Sequence, residues 1–207
     1  SVKREWKILM AAQARLDVPL LVGTAGTCGT DSMVDWLLEI TREIAGELGT
    51  MPKVAILRCS QDPMKVASAL KEGSVNDLAA APAISEALIE SCTNIVALAG
   101  AEQINAALST GADIIIAGRS TDTAVIAALP LARGCHPGGA WHGAKIGECG
   151  ALATNNPASG AIFIAAAIAT VSADGTPAAA NCGANASAVA GPPAKAAGPI
   201  NTPSNGD

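Results

Sequence analysis

Residues 113–122, DIIIAGRSTD, join a short apolar run to a loop that contains glycine and polar side chains. The three consecutive isoleucines favour a β-strand, because branched side chains pack well on a pleated surface. Similar apolar runs occur at residues 18–22, 54–57 and 95–98. A strand that is buried on both faces reads as a continuous apolar run rather than an alternating one. The pattern therefore predicts four strands of a covered parallel sheet.

Amphipathic segments separate these apolar runs. Between residues 31 and 48, apolar side chains recur at helical spacing, acidic residues occupy the first turns, and Gly49 marks the end. Further helices are predicted over residues 63–71, 84–91, 102–108 and 122–129, the last of them ending before Pro130. Strands that alternate with helices are typical of an α/β fold. We expect three layers, with a mostly parallel sheet and helices on both faces.

The composition excludes several classes of protein. The net charge is −5 and only 2% of the 207 residues are aromatic, whereas nucleic-acid and anionic-membrane surfaces need basic patches and base stacking needs aromatic rings. No apolar stretch approaches the roughly 20 residues that cross a bilayer, and the charged N-terminus lacks a signal core. Six dispersed cysteines without a CxxC pair are typical of reduced, mostly buried thiols. We expect a cytoplasmic protein without nucleic-acid or membrane partners.

The character of the chain changes near residue 165. Among residues 166–207, 24 of 42 are alanine, glycine or proline, so this segment has little bulky apolar surface to offset its ordering entropy. We expect one α/β domain over residues 1–165 and a disordered tail over residues 166–207. The chain begins with Ser1 rather than methionine, which favours a piece of a longer protein.

Three loops that contain glycine follow predicted strands, at residues 23–29, 100–102 and 118–123. Ligands of open α/β sheets bind outside the carboxyl ends of the strands, where we expect these loops to meet. Glycine lets main-chain N–H groups approach an anion, and an arginine can hold a carboxylate or phosphate with two hydrogen bonds. The candidate anion-binding residues are Gly23, Thr24, Gly26, Thr27, Gly29, Asp31, Glu102, Arg119, Ser120 and Asp122. The same residues also fit ordinary tight turns and helix caps.

The stretch WHGAKIGECG, residues 141–150, brings four reactive residue types close together in sequence. On a helix they offer an acid, a base and a nucleophile within three turns, and the candidate catalytic residues are His142, Lys145, Glu148 and Cys149. A solvated ion pair between Lys145 and Glu148 is the ordinary alternative. The composition also allows a zinc site formed by Cys135, His136, His142 and Cys149. Because their spacing matches no recognised zinc motif, no metal is expected.

Several of these stretches resemble the acyclic terpene utilisation AtuA family. The similar segments are VPLLVGTAG at 18–26, VDWLLEI at 34–40, GAE at 100–102, GADIIIAGRSTDT at 111–123 and AALPL at 127–131. The most specific is WHGAKIGECGA at 141–151, which is similar to the family's pattern Trp-His-x-x-Lys-Ile-x-Glu-Cys-Gly-Ala. The resemblance covers about residues 5–165, in order and with similar gaps. Members of the family are longer at both ends, so the resemblance implies that this chain holds part of the family's domain.

The resemblance implies a role in catabolism. The family takes its name from a bacterial gene cluster that degrades acyclic terpenes such as citronellol and geraniol through acyl-CoA chemistry. The leading expectation is an enzyme that acts on a branched-chain or terpenoid acid or on its CoA thioester. The resemblance assigns no reaction, and the lyase/hydratase and hydrolase classes are the candidates. The alternative is a non-catalytic subunit or binding protein of the same pathway. The expected partner is a small-molecule substrate. Assembly into a homo-oligomer, or with a partner subunit of the pathway, is left open. No cofactor is evident except CoA as part of the substrate.

Overall fold

The computed structural model describes residues 2–148, which form seven helices and five strands. The helices are α1 (Val2–Leu16), α2 (Asp31–Leu48), α3 (Pro63–Lys71), α4 (Glu86–Glu90), α5 (Ala101–Leu108), α6 (Asp122–Ala132) and α7 (Pro137–Glu148). The strands are β1 (Leu20–Val22), β2 (Val54–Leu57), β3 (Ser60–Gln61), β4 (Ile95–Val96) and β5 (Ile114–Ala117). The predicted tail and the candidate Cys149 lie outside the described residues.

The main sheet has three parallel strands in the order β1-β5-β2. Ile114 at the start of β5 pairs with Leu20 on one side and with Val54 on the other. All four residues of β5 are buried, because this strand has a neighbour on each edge and a helical layer on each face. The isoleucine run at 114–116 therefore forms the centre of the domain.

Helices cover both faces of the sheet. Ile114 and Ile116 pack into a cluster that contains Trp6 of α1 and Val34 of α2. Ile115 points to the opposite face, as expected from the alternation of side chains along a strand, and packs with residues of α5. α6 lies on this second face, where its alanines pack against α5. The three-layer, mostly parallel α/β fold predicted from the sequence is confirmed.

One predicted strand belongs to a different sheet from the one expected. Residues 95–98 were expected to join the parallel sheet, but only Ile95 and Val96 are in a strand, and β4 pairs antiparallel with β3. The two residues that follow, Ala97 and Leu98, are exposed. A short apolar run carries no information about its partner or direction, so the sequence pattern could not distinguish the two pairings.

Two helices also differ from the prediction. α6 does not end before Pro130 but continues to Ala132. Proline removes only its own N–H, and the N–H groups that follow the helix bond to carbonyls of its last turn, that of Cys135 to Pro130 itself at 3.0 Å. α1 was not predicted at all, although its buried residues Trp6, Met10 and Gln13 follow helical spacing. Since one of those three is polar, the apolar stripe is weak.

Exposed ion pairs connect α1 to α2. Glu47 accepts hydrogen bonds from Lys3 and Lys7, each at 2.7 Å, and Lys3 also binds Glu43. The lysines lower the pKa of Glu47 to about 2 from its ordinary value of 4.5, Lys3 contributing most. A carboxyl whose pKa is lower in the folded state stabilises the fold above the unfolded pKa, and that contribution is lost as the pH falls through the folded pKa.

We expect Glu47→Gln to remove part of the acid sensitivity of the protein. Urea unfolding midpoints of the natural chain and the variant will differ above pH of about 4.5 and converge as the pH falls towards about 2, because protonated Glu47 no longer attracts Lys3 and Lys7. High salt will shrink the difference, since the pairs are exposed. Glu90→Gln, on α4, is the matched control without this effect. A constant difference between natural chain and variant across this pH range would contradict the assignment.

Candidate functional site

The loops that follow β1 and β5 lie side by side at the carboxyl edge of the sheet. Thr24 forms an antiparallel bridge with Arg119. The N–H of Ala25 donates to the carbonyls of residues 117 and 118, both at 3.0 Å. The hydroxyl of Ser120, which is 1% exposed, donates to the Gly23 carbonyl at 2.5 Å. The structure thus brings together Gly23, Thr24, Arg119 and Ser120, four of the candidate anion-binding residues.

Two glycines allow this close approach of the backbones. Gly29 has a φ of +72°, and a Cβ atom there would lie 2.6 Å from the Gly118 carbonyl carbon and closer still to its oxygen. A Cβ on Gly118 would in turn lie 2.5 Å from the Gly29 carbonyl oxygen. These two glycines therefore serve the packing of one loop on the other, which is the structural role that the sequence left open beside anion binding.

Asp31 holds the loop after β2 against the start of α2. Its carboxylate accepts the N–H groups of Cys59 at 3.2 Å and Ser60 at 3.1 Å, and its own N–H donates to the Ser60 hydroxyl at 3.0 Å. Arg58 lies 3.8 Å from the same carboxylate and pairs more closely with Asp35, at 2.6 Å. Both main-chain N–H groups bond to Oδ1 of Asp31, so this candidate residue joins the loop after β2 to the start of α2.

A mostly apolar cavity of about 530 Å³ opens between α1, α2 and the loop after β1. Its apolar walls come from Val2, Trp6, Leu9, Val22, Met33, Trp36 and Leu37. The remaining lining residues are Glu5, Thr24, Gly26 and Thr27. Three candidate residues, Thr24, Gly26 and Thr27, thus lie on the cavity. The two tryptophans were missed, because no helix was predicted over residues 2–16 and Trp36 appeared only as part of α2.

Arg119 does not line this cavity, but it is bridged to Thr24, which does. Residues opposite each other on an antiparallel bridge place their side chains on the same side, so the Arg119 side chain leaves the bridge on the side of Thr24. Its backbone is fixed, because its carbonyl accepts the N–H of Ala99 at 2.9 Å and the thiol of Cys59 at 3.2 Å. Within residues 2–148 its guanidinium makes no hydrogen bond or ion pair. A half-buried cation beside a cavity is suited to hold an anion.

The other two acidic candidates lie at helix starts. Glu102 is in the first turn of α5 and Asp122 in the first turn of α6, and both are exposed. Neither lines the cavity between α1 and α2. Carboxylates in these positions interact favourably with the positive end of the helix dipole.

Three of the four candidate catalytic residues lie on α7, which packs against α6. His142 and Lys145 are exposed, and Lys145 pairs with Glu148 at 2.9 Å. No residue of α7 lines the cavity between α1 and α2. The structure thus groups His142, Lys145 and Glu148 on one helix but does not bring them to that cavity, and their catalytic role stays a prediction.

The cysteines differ from the expectation of reduced, mostly buried thiols. Cys135 is disulfide-bonded, and of the three other described cysteines Cys28 and Cys92 are exposed while Cys59 is buried. The zinc site that the composition allows would need Cys135 as a thiolate, and the disulfide removes that thiolate. Among residues 2–148, no group of three or more His, Cys, Asp and Glu side chains is arranged to hold a metal ion.

Cys28 is a second feature that the sequence analysis missed. It lies on the exposed part of the loop after β1, and a hydrogen bond with the Thr30 hydroxyl at 3.5 Å lowers the pKa of its thiol. A cysteine within a glycine-rich loop just before a helix is the sequence signal that could have identified it.

Comparisons with known proteins identify the family. Residues 13–179 match the model of the acyclic terpene utilisation family protein AtuA. No curated protein matches the chain, and no solved structure does either. No helix in the described part of the chain is long and apolar enough to cross a membrane. Because the match covers most of the sequence, on the segments that also form the sheet and its loops, the chain belongs to the acyclic terpene utilisation family AtuA.

Proposed function

We propose that the chain binds a branched-chain or acyclic terpenoid acid, or its CoA thioester, with the hydrocarbon part in the cavity between α1 and α2. The observation that carries the proposal is the lining of this cavity, which consists of seven apolar residues together with two threonines, one glutamate and one glycine. Its volume of about 530 Å³ lies within the range of roughly 300–1,000 Å³ that is typical of small-molecule sites. Family membership supports a role in acyclic terpene utilisation.

The anionic end of this ligand would lie at the loops. Glu5 on α1 repels a second carboxylate, whereas Thr24 and Thr27 on the loop after β1 can donate hydrogen bonds to one. Arg119, which is bridged to Thr24, adds the positive charge. In this arrangement the carboxylate or thioester faces the carboxyl edge of the sheet, and the branched chain extends between the tryptophans of α1 and α2.

Two classes of function remain for this site. In the first, the chain is an enzyme in which His142, Lys145, Glu148 or Cys149 transfers a proton or attacks the acyl group. In the second, the chain is a non-catalytic binding protein or subunit of the same pathway. The second is favoured by one observation: His142 and Lys145 are exposed on a helix that does not line the cavity.

We expect Arg119→Gln to weaken the binding of citronellic acid but not of citronellol, which has the same hydrocarbon chain and no charge. A hydrogen bond to a charged group contributes about 1.5–3 kcal/mol, so the dissociation constant for the acid will rise about tenfold to a hundredfold. Isothermal titration calorimetry on the full chain measures both ligands, and the CoA thioester can be compared in the same way.

Arg133→Gln is the matched control, because Arg133 is an exposed arginine at the end of α6 and does not line this cavity. Equal weakening of acid and alcohol by Arg119→Gln would mean that the substitution disturbs the cavity itself. Unchanged binding of the acid would remove Arg119 from the site. Binding of both ligands without any turnover of the thioester would support the non-catalytic class.

A further inference from the structure

β1 is an edge strand of the main sheet, and among residues 2–148 no strand pairs with its outer side. The N–H of Leu20 donates to the Asp113 carbonyl at 2.9 Å, so Leu20 directs its main-chain groups towards β5. Successive residues of a strand direct these groups to opposite sides, so the N–H and carbonyl of Leu21 face the outer edge. All three residues of β1 are apolar and half-buried. An open, apolar edge of this kind can pair with one more strand.

The helices on the second face of the sheet show in which direction the chain crosses it. α5 packs on β2 and β5. α6 lies farther across, over β1, because a Cβ on Gly23, directly after β1, would lie 2.3 Å from the side chain of Val125. Near the other end of α6, Leu129 lines one cavity together with Val18 and Pro19, which precede β1. The chain therefore moves across this face from β2 towards β1.

The hand of the connections points to the same edge. The chain runs from β1 to β2 through α2 on the first face, and from β2 back to β5 through α5 on the second face. Opposite directions on opposite faces give both connections the same hand, and connections between parallel strands are right-handed in about 98% of cases. α7 packs chiefly on α6, the helix over β1. A strand that followed α6 and α7 with this hand would lie beyond β1, at its outer edge.

The sequence contains one suitable segment after α7. Residues 161–165, AIFIA, hold the only three consecutive bulky apolar residues between positions 149 and 207. Isoleucine and phenylalanine are enriched in strands, and a continuous apolar run suits a strand with a helix on each face, as α1 and α6 provide beside β1. The 12 residues 149–160 can span about 40 Å when extended, several times the length of β1. The family match continues through residue 179, so this run belongs to the family's domain.

We propose that residues 161–165 dock on the outer edge of β1 as a fourth strand of the main sheet. The main chain of this segment pairs with the N–H and carbonyl of Leu21, and its side chains extend the two apolar faces of the sheet. The outer edge of β2 lies on the far side of the sheet from α6 and α7, so it is not the docking edge.

Amide hydrogen exchange of the full chain, followed by ¹H–¹⁵N spectra, compares the two edges. Leu57 accepts the Gly118 N–H, so Ile56 directs its own N–H to the outer edge of β2 and is the matched reference for Leu21. We expect the protection factor of Leu21 to exceed that of Ile56 about tenfold or more. We also expect nuclear Overhauser effects between the Leu21 amide and main-chain protons of residues 161–165.

Each other result of these measurements would overturn the proposal. Equal protection of Leu21 and Ile56, or no Overhauser effect from Leu21 to residues 161–165, would mean that the segment does not pair with β1. Protection of Leu21 that disappears on dilution would mean that a second copy of the chain pairs with this edge instead. Protection that does not depend on protein concentration supports the segment of the same chain.

Two adjacent prolines give an independent test. Ile162→Pro combined with Phe163→Pro removes whichever of the two N–H groups faces β1, because neighbouring residues point to opposite sides. We expect the protection of Leu21 to fall about tenfold or more while that of Ile115 in the central strand stays the same. Ala188→Pro combined with Val189→Pro, beyond the family match, is the control without this effect. Undiminished protection of Leu21 in the first variant would overturn the proposal. If Ile115 lost protection too, the variant would have unfolded, and the Overhauser effects of the natural chain decide.

Discussion

Gly29→Ala will lower the free energy of unfolding by about 3 kcal/mol or more, a larger loss of stability than most single substitutions cause. The new methyl group would meet the main chain of Gly118, whose carbonyl accepts the Ala25 N–H and which cannot move aside without breaking the contact between the loops. The φ of +72° at Gly29 adds the cost of a left-handed conformation, about 1–2 kcal/mol for a residue with a Cβ. Urea unfolding followed by tryptophan fluorescence measures the change.

Gly49→Ala separates the two causes. Gly49 has a φ of +65°, almost the same as that of Gly29, but a Cβ there would meet no atom within 4 Å. The Gly49→Ala variant therefore has the conformational cost without a steric clash, and we expect its free energy of unfolding to fall by about 1–2 kcal/mol. Equal effects of the two substitutions would show that the loops after β1 and β5 are not in tight contact.

Replacing Trp6 with alanine will cost about 3–5 kcal/mol, in the range that large-to-small substitutions of buried aromatic residues produce. Trp6 is 4% exposed and packs against the sheet from α1. Its indole N–H donates to the buried Thr41 hydroxyl at 2.9 Å, and that hydroxyl donates to the Leu37 carbonyl at 2.7 Å. The substitution removes both the apolar contact and the hydrogen bond. Thermal or urea unfolding measures the loss, and Trp6→Phe will recover most of the packing.

Trp36→Ala is the control for this prediction. Trp36 lines the same cavity as Trp6 but is 41% exposed, so its removal will change stability by less than about 1 kcal/mol. It will nevertheless weaken the binding of a terpenoid ligand, because it contributes apolar wall. A large loss of stability from Trp36→Ala would contradict the description of this residue as part of an open wall.

Local signals predicted the elements of the fold well. The helix over 63–71 was predicted to the residue, because Pro63 suits the first turn of a helix. In the structure Asp62 also caps this helix by accepting the Met64 N–H, a signal that the sequence analysis did not use. The end of α2 at Gly49 follows from its left-handed conformation, which glycine adopts without strain. The central strand coincides with the apolar run quoted at the start, because three consecutive isoleucines strongly favour a strand.

Features that depend on contacts distant in sequence were less predictable. The antiparallel pairing of β3 with β4 joins Ser60 to Val96, and nothing in either two-residue segment specifies the other. The meeting of Thr24 and Arg119 follows from the rule that parallel strands end at one edge, so that part of the site was accessible. The cavity beside them was not, because one of its walls is α1, whose docking is visible only in the assembled fold.

The strand order also has a consequence for how the domain folds. β1 and β2 each pair with β5 and not with each other, so the strand that joins them is the last of the three to be synthesised. A chain emerges from the ribosome with its N-terminus first. Until Ala117 has emerged, α1 and α2 therefore lack the complete sheet against which their apolar faces are buried. Contacts between such distant segments slow folding, because the loop must close before any pairing is gained. Until β5 has been synthesised, the apolar faces of α1 and α2 that pack on it stay exposed, and exposed apolar surface of this kind favours aggregation.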